Sequence, residues 1–319
     1  MGRRVPARTA RRRRPARPAD APPGQDGVVT ELHTAWTRSI GLSTPIVCAP
    51  MGGAAGGALA TAVSRAGGLG MIGMGSSGST DRLRAELSVF DARDRPWGIG
   101  LVDWRMRQDT ELLPTAIAAG PTLLSVSFGE SFEWVADARA QGITTTTQVA
   151  TVAEAVRAQD AGIDVVVARG SEGGGHGAPT VGALTLLCTV LDRVQIPVLA
   201  AGGIASARGV AAALAAGASG VWVGTVFSGC VESLIDDDAR AALVTADETT
   251  TEVTTRFDRA AGHAWPDRFP ERVLTSAVDG GTGVNAGQGV AMVRRTRSAA
   301  EVIADLTSGA ADLLGRWSR

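Results

Sequence analysis

The stretch DVVVARGSEGGGHGAPT, residues 164–180, joins a short apolar run to a glycine-rich segment that carries one histidine. Its valines predict a strand that is buried on both faces, as in a parallel sheet. Helix-forming residues resume only near Val181, so the segment between is predicted to be a strand-to-helix loop. Glycines let backbone N–H groups approach a ligand closely, and free N–H groups near a helix start favour an anion. The loop is therefore predicted to bind a ligand beside His176; the alternative is a plain turn with a surface histidine.

Outward from this loop, short apolar runs alternate with amphipathic, alanine-rich segments along most of the chain. Strands are predicted at residues 46–49, 70–74, 97–101, 123–127, 144–148, 164–168, 198–201 and 220–223. Helices are predicted between them, at 57–66, 80–92, 109–119, 131–141, 151–161, 181–193 and 206–216. Eight strands that alternate with helices predict an α/β protein, a (β/α)8 TIM barrel.

An open, doubly wound sheet is the alternative architecture for this alternation. Such sheets usually bind a dinucleotide at a G-x-G-x-x-G motif directly after the first strand. Here the first predicted strand leads into APMGG, residues 49–53, which is not that motif. The barrel is therefore the preferred fold.

The amino-acid composition limits both the location and the chemistry of the protein. Of 319 residues 45% are hydrophobic, which supports a substantial core, and no apolar run reaches the ~18 residues of a membrane span. All 31 basic residues are arginine and tyrosine is absent, which excludes a Schiff-base lysine and a tyrosine acid or base. The three cysteines lack metal-ligand spacing and indicate a reducing, cytoplasmic compartment. Neither a metal site nor a membrane contact is predicted.

The two ends of the chain differ from the regular central part. Residues 1–27 carry eight arginines and two aspartates, a net charge of +6, and are predicted to form a disordered tail. Because the whole chain carries −1, residues 28–319 carry −7, which argues against nucleic-acid binding. The barrel is predicted over 28–235, a lid or substrate-binding insertion over its mouth at 236–288, and a terminal helix that packs on the barrel within 289–319.

Glycine-rich ends follow the last two predicted barrel strands, with AGGI at 201–204 and GT at 224–225. In TIM barrels the active site lies at the carboxyl ends of the strands, and the ends of strands seven and eight often hold a phosphate. Backbone N–H groups at these two ends are predicted to bind a phosphate without help from a cation.

Taken together, these motifs resemble the nitronate monooxygenase (2-nitropropane dioxygenase) family over about residues 45–317. The resemblance rests on APMGG at 49–53, AGGLG at 66–70, SFG at 127–129, EGGGHG at 172–177, AGGI at 201–204 and GT at 224–225. The pattern is shared with two sister groups of flavoproteins, the FMN-dependent enoyl-ACP reductase II and a branch of NADH:quinone reductases.

The resemblance implies an FMN-binding barrel in which His176 is the catalytic base. The residues implied to contact FMN are Pro50, Met51, Gly52, Gln148, Gly174, Gly175, Ala201, Gly202, Gly203, Gly224 and Thr225. The implied reaction takes a nitronate, or a nitroalkane after proton removal, and converts it with O2 to a carbonyl compound and nitrite. The sister groups imply the alternative, an NAD(P)H-dependent FMN reductase of quinones or enoyl thioesters.

Several positions depart from the family pattern. Gln148 stands where many relatives have lysine, and Gly100 and Val102 replace polar residues that often follow the third strand. Arg169 replaces a smaller polar or acidic residue, and is expected either to contact substrate or to turn into solvent. Glu172 is expected to orient the loop or His176, with a solvated carboxylate as the alternative.

Other side chains near the predicted mouth have open roles. His263 lies in the insertion and is expected to pack the lid rather than line the mouth. Trp104, Phe128 and Trp265 either wall an apolar cavity or belong to the core.

Overall fold

The structure, a computed structural model, describes residues 32–275 and 283–316; the predicted tail lies outside this range. Its strands are β1 (Ile46–Cys48), β2 (Gly70–Met74), β3 (Trp97–Val102), β4 (Leu123–Ser127), β5 (Thr144–Val149), β6 (Val165–Arg169), β7 (Gly175–His176), β8 (Val198–Ala201), β9 (Gly220–Val223), β10 (Thr251–Thr254) and β11 (Glu271–Leu274). Eight of them form one parallel sheet in the order β1-β9-β8-β6-β5-β4-β3-β2.

Hydrogen bonds between β1 and the start of β2 close this sheet into a barrel. The Cys48 N–H donates to the Leu69 carbonyl at 2.9 Å, and the Leu69 N–H donates to the Ile46 carbonyl at 3.0 Å. The (β/α)8 barrel predicted from the sequence is confirmed, and each predicted strand agrees with its observed bounds to within one residue.

Helices alternate with the strands as the sequence predicts. They are α1 (Ala35–Ser39), α2 (Gly57–Arg65), α3 (Thr80–Val89), α4 (Asp103–Gln108), α5 (Leu112–Ala118), α6 (Trp134–Ala140), α7 (Val152–Asp160), α8 (Ala183–Leu191), α9 (Ala207–Ala215), α10 (Thr225–Ser228), α11 (Asp237–Thr245), α12 (Arg256–Ala261) and α13 (Ala299–Gly315). Within the described residues, none of them is both long and apolar enough to cross a membrane.

The helix predicted at 109–119 is observed as α5, which begins three residues later than predicted. A further short helix that the sequence did not predict, α4, precedes it, and Asp109 lies between the two. The carboxylate of Asp109 accepts hydrogen bonds from the N–H and the hydroxyl of Thr80, at 2.7 and 2.8 Å. This side chain satisfies the start of α3, so the chain turns at Asp109 instead of continuing as a helix.

Successive residues of the barrel strands belong to two different parts of the core. On β6, Val165 and Val167 pack in the barrel interior with Leu199 and Trp222, whereas Val166 belongs to the layer between sheet and helices. Both sides of β6 are therefore apolar over its valines, which explains why this part of the sequence shows no alternation of polar and apolar residues.

The final helix α13 packs against α9 and α2 on the outside of the barrel. Ser298 caps its first turn by accepting from the N–H of Glu301, and the Glu301 carboxylate accepts from the Ser298 N–H in return. The hydroxyls of Thr44 and Thr307 share a buried hydrogen bond of 2.7 Å that ties α13 to the chain just before β1.

A second, three-stranded antiparallel sheet joins the segment after the barrel to the loop after β6. Its order is β10-β11-β7, and β7 consists of two residues of the glycine-rich loop. In this sheet Glu271 pairs with His176 and Arg272 pairs with Gly175. The segment predicted as an insertion thus holds the histidine loop through main-chain hydrogen bonds.

Candidate active site

Arg169 organises the glycine-rich loop. Its side chain is buried, and one guanidinium nitrogen donates to the carbonyls of Gly173, Gly174 and Gly175 at 2.7, 3.1 and 3.1 Å. Burial and the nearby Arg272 lower the pKa of Arg169 to about 10, so the guanidinium stays charged at neutral pH. The alternative expectation that Arg169 turns into solvent is therefore wrong, because its side chain is buried and holds the loop; substrate contact stays a prediction.

The glycines of the loop are needed because other groups approach its backbone closely. A Cβ at Gly177 would lie 2.0 Å from an Arg169 guanidinium nitrogen, and a Cβ at Gly174 would lie 2.5 Å from the backbone nitrogen of Gly287. Gly175 has a φ of +65°, which favours glycine without any such contact. At Gly174 and Gly177, close packing within the protein requires glycine, whereas the sequence predicted that the glycines leave room for a ligand.

His176 lies between a carboxylate and an aromatic ring that both come from the segment after the barrel. Its Nε2 is 2.8 Å from Oδ2 of Asp258. The indole of Trp265 stacks on the imidazole with 3.5 Å between ring centroids and an interplanar angle of 5°. Burial lowers the pKa of His176 below its ordinary value, and the hydrogen bond to Asp258 offsets only part of that effect. The imidazole is therefore neutral at pH 7.

Two further titratable groups face Asp258. His263 Nδ1 lies 3.5 Å from Oδ1 of Asp258, so this histidine joins the same cluster. Glu271 is only 4% exposed, and burial together with the charge of Asp258 raises its pKa to about 7. One ligand-type atom from each of His176, Asp258 and Glu271 lies within 4.8 Å of the others, which is close enough to share a proton or to hold a cation.

Aromatic side chains surround the imidazole at the barrel mouth. Trp104 and Phe128 pack edge-on against Trp265, with ring centroids 5.8 and 4.9 Å away, and Phe269 lies edge-on to Phe128 at 5.3 Å. Phe128 has a φ of +71°, an unusual conformation for a residue with a side chain. The strained turn at the end of β4 thus aims Phe128 at the insertion.

A cavity extends from this aromatic group towards the end of β5. Gln148, one of the predicted FMN contacts, lines it together with Phe128, Phe132 and Arg169. The Gln148 N–H donates to the Ser127 hydroxyl at 3.1 Å, which fixes the backbone there. Because the Gln148 side chain is neutral, position 148 itself carries no charge where relatives are expected to have lysine.

The strand ends predicted to hold a phosphate retain unused donors. The N–H groups of Gly202, Gly203 and Gly224 donate to no acceptor within residues 32–275 and 283–316. Gly202 and Gly203 have φ values of +107° and +67°, so side chains are disfavoured at both. Ala201, just before them, is buried, and its carbonyl accepts from the Gly170 N–H at 2.9 Å. Three unused N–H donors therefore lie at the ends of β8 and β9, where TIM barrels often hold a phosphate.

The turn after β1 is tightly packed. Cβ positions at Gly100 and Gly52 would lie 2.2 Å from Pro50 and 2.5 Å from Gly75. Glycine at position 100 therefore follows from the approach of Pro50. Met51 accepts a hydrogen bond at its sulfur from the Ser228 hydroxyl at 3.0 Å, and lies beside Gly224. Of the predicted contacts, Met51 thus lies next to the β9 end, whereas Pro50 packs on Gly100 of β3 and Gly52 on Gly75 after β2.

Residues 286–289, which the sequence did not single out, complete the wall around these donors. The Thr225 hydroxyl accepts from the Gly287 N–H at 3.0 Å, so it is already engaged within the protein. The Gln288 N–H donates to the Glu172 carbonyl at 2.9 Å. Glu172 itself caps α8, since its carboxylate accepts from the Ala183 N–H at 2.9 and 3.0 Å. It was expected to orient the loop or face solvent, and instead anchors the following helix.

Asp258 and Glu271 are the site residues that the sequence did not single out. They lie 82 or more residues beyond His176 in a segment without a motif, and only the pairing of β11 with β7 brings Glu271 opposite the histidine. Trp265 was expected either to wall an apolar cavity or to belong to the core, and its stacking on His176 depends on tertiary structure.

A TIM barrel with glycine-rich strand ends and a neutral histidine at its mouth is the arrangement of a flavin-dependent oxidoreductase. A profile of the nitronate monooxygenase family matches residues 34–267. The chain therefore belongs to the nitronate monooxygenase family, as the sequence motifs predicted.

Relatives in two activity classes have similar sequences. A nitronate monooxygenase of Pseudomonas aeruginosa is 32% identical over 280 residues, covering 73% of this chain and 80% of that protein. A (3aS,4S,5R,7aS)-5-hydroxy-7a-methyl-1-oxo-octahydro-1H-indene-4-carboxyl-CoA dehydrogenase of Rhodococcus jostii is also 32% identical, over 252 residues, 78% of this chain and 67% of that protein.

Solved structures share the fold over nearly the whole chain. FabK from Thermotoga maritima superposes with a TM-score of 0.80 and 28% identity, covering 90% of this chain and 99% of FabK. The nitroalkane oxidase of Streptomyces ansochromogenes gives a TM-score of 0.74 and 26% identity, covering 89% and 100%.

Proposed function

We propose that this enzyme uses FMN and O2 to oxidise alkyl nitronates, and the parent nitroalkanes after proton removal, to a carbonyl compound and nitrite. The observation that carries the proposal is the largely enclosed imidazole of His176, 12% exposed, with Asp258 2.8 Å from its Nε2; burial lowers its pKa. The family membership and the likeness to a nitroalkane oxidase support the same reaction class.

His176 is suited to remove a proton from carbon. A carboxylate accepts but does not donate, so the hydrogen bond to Asp258 places the imidazole proton on Nε2 and leaves the Nδ1 lone pair free to act as a base. A nitroalkane loses its α-proton to Nδ1, and the C–H electron pair becomes part of the nitronate anion. The resulting imidazolium is stabilised by Asp258 at 2.8 Å.

The residues proposed to hold FMN are those at the strand ends. Gly202, Gly203 and Gly224 offer N–H groups to the phosphate, and Pro50 and Met51 offer an apolar surface for the ring. The remaining proposed contacts are Gly52, Gln148, Gly174, Gly175, Ala201 and Thr225. Bound FMN supplies electron acceptance and the reaction with O2.

The cavity beside Gly177 and Ala178, the two residues after His176, favours a small substrate with an apolar chain and a negative head group. Phe128, Phe132 and Phe269 line it, and the arginines in its wall, Arg157, Arg169 and Arg268, outnumber the one carboxylate, Glu154. An anionic nitronate is attracted by such arginines, while its alkyl chain packs on the rings. We also propose action in the cytoplasm, because all three cysteines are unpaired.

A flavin-dependent reductase or dehydrogenase of thioesters is the second candidate. It is favoured by the FabK fold match and by the CoA-ester dehydrogenase relative. Removal of a proton next to a thioester carbonyl makes the same demand on His176 as removal of a proton next to a nitro group. Use of NAD(P)H would distinguish the reductase from both oxidative reactions.

Mixing the protein with each candidate substrate in the absence of O2 distinguishes nitronate oxidation from the reductase reaction. The purified yellow protein is mixed without O2 with ethyl nitronate, NADH, NADPH or an enoyl thioester, and the flavin absorbance is followed. We expect rapid bleaching with ethyl nitronate alone, and nitrite and acetaldehyde when O2 is admitted. Bleaching by NADH or NADPH, with reoxidation by the enoyl thioester or a quinone and none by nitronate, would refute the proposal in favour of the reductase.

A further inference from the structure

Two carboxylates from the segment after the barrel flank His176, and the proposed reaction assigns no role to one of them. Asp258 lies at 2.8 Å from Nε2 and is buried, as is Glu271. Asp258 comes from α12 and Glu271 from β11, so neither belongs to the barrel loop that carries the histidine. The insertion therefore brings two acidic groups to a base supplied by the barrel.

Glu271 is held there at an energetic cost. Its Oε1 atom is buried and has no hydrogen-bond partner among the described residues. In the β7–β11 pairing Glu271 stands directly opposite His176, which leaves it facing the imidazole and Asp258. A buried carboxyl oxygen without a partner costs about 1–3 kcal/mol, so a purely structural position would favour an apolar residue or glutamine.

We propose that Asp258 and Glu271 are positioning residues for His176: Asp258 holds the imidazole proton on Nε2, and ionised Glu271 raises the affinity of Nδ1 for the substrate proton. The proposal rests on the proposed function of His176 as a base. In the step that it serves, one proton moves from the substrate carbon to Nδ1, the electron pair of the broken C–H bond stays on the substrate, and the imidazolium gains its charge between two carboxylates.

The charges around the imidazole explain why a second carboxylate is useful. Burial, Arg169 and His263 all disfavour the protonated form of His176, and Asp258 favours it. Glu271 is ionised only above a pKa of about 7, because burial and Asp258 oppose its charge and Arg256 favours it. As pH rises through 7, Glu271 therefore adds a negative charge that makes His176 a stronger base.

The distances favour a shared proton over a bound cation in this cluster. The 2.8 Å between Nε2 and Oδ2 is an ordinary charge-assisted hydrogen bond, which uses the Nε2 position for a proton. A metal ion would need a deprotonated Nε2, and the neighbouring Arg169 guanidinium opposes an added positive charge.

Nitrogen NMR of the yellow holoprotein tests the proposal without any activity assay. The chain has only three histidines, so 15N-histidine labelling with His33→Gln and His263→Gln variants assigns the His176 signals. We expect the Nε2–H tautomer in the wild type. Asp258→Asn should mix the two tautomers and lower the pKa of His176 by one unit or more, and Asp258→Glu should restore both. Glu271→Gln should lower the pKa of His176 but leave its Nε2–H tautomer unchanged.

Turnover of a neutral nitroalkane and of its nitronate provides a second, kinetic test of the same proposal. For a neutral nitroalkane, Asp258→Asn should lower kcat by about 10²–10⁴-fold, and Glu271→Gln should lower it most above pH 7. Turnover of the nitronate should change far less, since its proton is already gone. Asp267→Asn is the control, because that side chain is 92% exposed in the same segment.

The outcomes separate this proposal from the proposed function. An unchanged tautomer and pKa of His176 in both Asp258→Asn and Glu271→Gln would overturn it, whatever the enzyme oxidises. A stoichiometric divalent metal in the purified holoprotein, lost in Asp258→Asn, would overturn it as well. If the protein shows the expected NMR changes but oxidises no nitro compound, the roles proposed for Asp258 and Glu271 are supported and only the nitronate reaction is refuted.

Discussion

The indole of Trp265 lies flat against the imidazole of His176, 3.5 Å from centroid to centroid. The indole N–H donates to the Ser76 hydroxyl at 2.8 Å, on the loop after β2. Trp265 thus connects the segment after the barrel to the opposite side of the mouth while it covers one face of the proposed base. Trp265 therefore links the position of this segment to the environment of His176, alongside Asp258 and Glu271.

Replacing Trp265 should make His176 easier to protonate. In Trp265→Ala water reaches the exposed ring face, so the desolvation that lowers the pKa of His176 is relieved and the pKa rises towards about 6.5. The acidic limb of the pH profile of nitroalkane turnover should move to higher pH. Trp265→Phe is the matched control: it keeps a ring on the imidazole, loses the bond to Ser76, and should leave that limb in place. Identical profiles for Trp265→Ala and the wild type would contradict the shielding role.

Arg169 is expected to be more important for stability than for turnover. Arg169→Met leaves three loop carbonyls without their donor, and we expect the free energy of unfolding to fall by about 2–4 kcal/mol. Urea denaturation of the two proteins measures the difference. Arg139→Met, whose side chain is 55% exposed beside Asp164, should cost less than about 1 kcal/mol. Equal losses for the two variants would show that the clamp contributes little.

The barrel was predictable because its signal is local. Most strands are short apolar runs, with the threonine-rich β5 as the exception, and their alternation with helical segments repeats along the chain. The predicted helix at 109–119 starts three residues too early because a contact between positions 29 residues apart, the Asp109 carboxylate on Thr80, holds the chain in a turn before α5.

Only the part of the candidate site that the barrel supplies was predictable from the sequence. Glycines at β8 and β9 and the single imidazole in the loop follow from position and residue type. Asp258 and Glu271 do not, because the antiparallel pairing of β7 with β11 joins a two-residue strand to a segment nearly a hundred residues later. Arg169 was noticed as unusual, but its burial depends on the loop folding back over it.

The proposed phosphate site gives a prediction at Gly224. A Cβ there would lie 3.4 Å from the Met51 sulfur, an ordinary contact, so Gly224→Ala should fold normally and keep its flavin. Gly224→Leu must displace Met51 and the adjoining turn, and we expect FMN affinity to fall by at least about tenfold with a smaller change in melting temperature. Fluorescence titration of the apoprotein with FMN measures the affinity. If the leucine variant binds FMN as tightly as the alanine variant, the phosphate is held elsewhere.

His176→Asn tests the base directly. Asparagine cannot accept a proton from carbon near pH 7, so turnover of a neutral nitroalkane should fall by about 10²–10⁴-fold, and turnover of the nitronate should fall far less. The flavin should stay bound, because the proposed phosphate donors belong to the ends of β8 and β9. His33→Asn, before the barrel, should retain full activity. Equal losses on both substrates would show that His176 positions the substrate and does not remove its proton.

The buried carboxyl of Glu271 should make the protein less stable as the pH rises. Its pKa is raised from 4.5 in the unfolded chain to about 7 in the folded protein, so between these values the folded state binds more protons. The free energy of unfolding due to this group therefore falls from pH 4.5 to pH 7 and stays low above it.

The Glu271→Gln variant tests this pH dependence, because glutamine does not titrate. Glutamine resembles the protonated side chain, so the variant should match the wild type near pH 4.5 and exceed it by about 1–3 kcal/mol at pH 8. Urea denaturation at both pH values, read by intrinsic fluorescence, measures the difference. Glu130→Gln should show no such divergence, because its side chain is 70% exposed beside Arg268. A Glu271→Gln variant that is less stable than the wild type at pH 8 would mean that the ionised carboxylate has a stabilising partner, and that the charge proposed to strengthen His176 is held without cost.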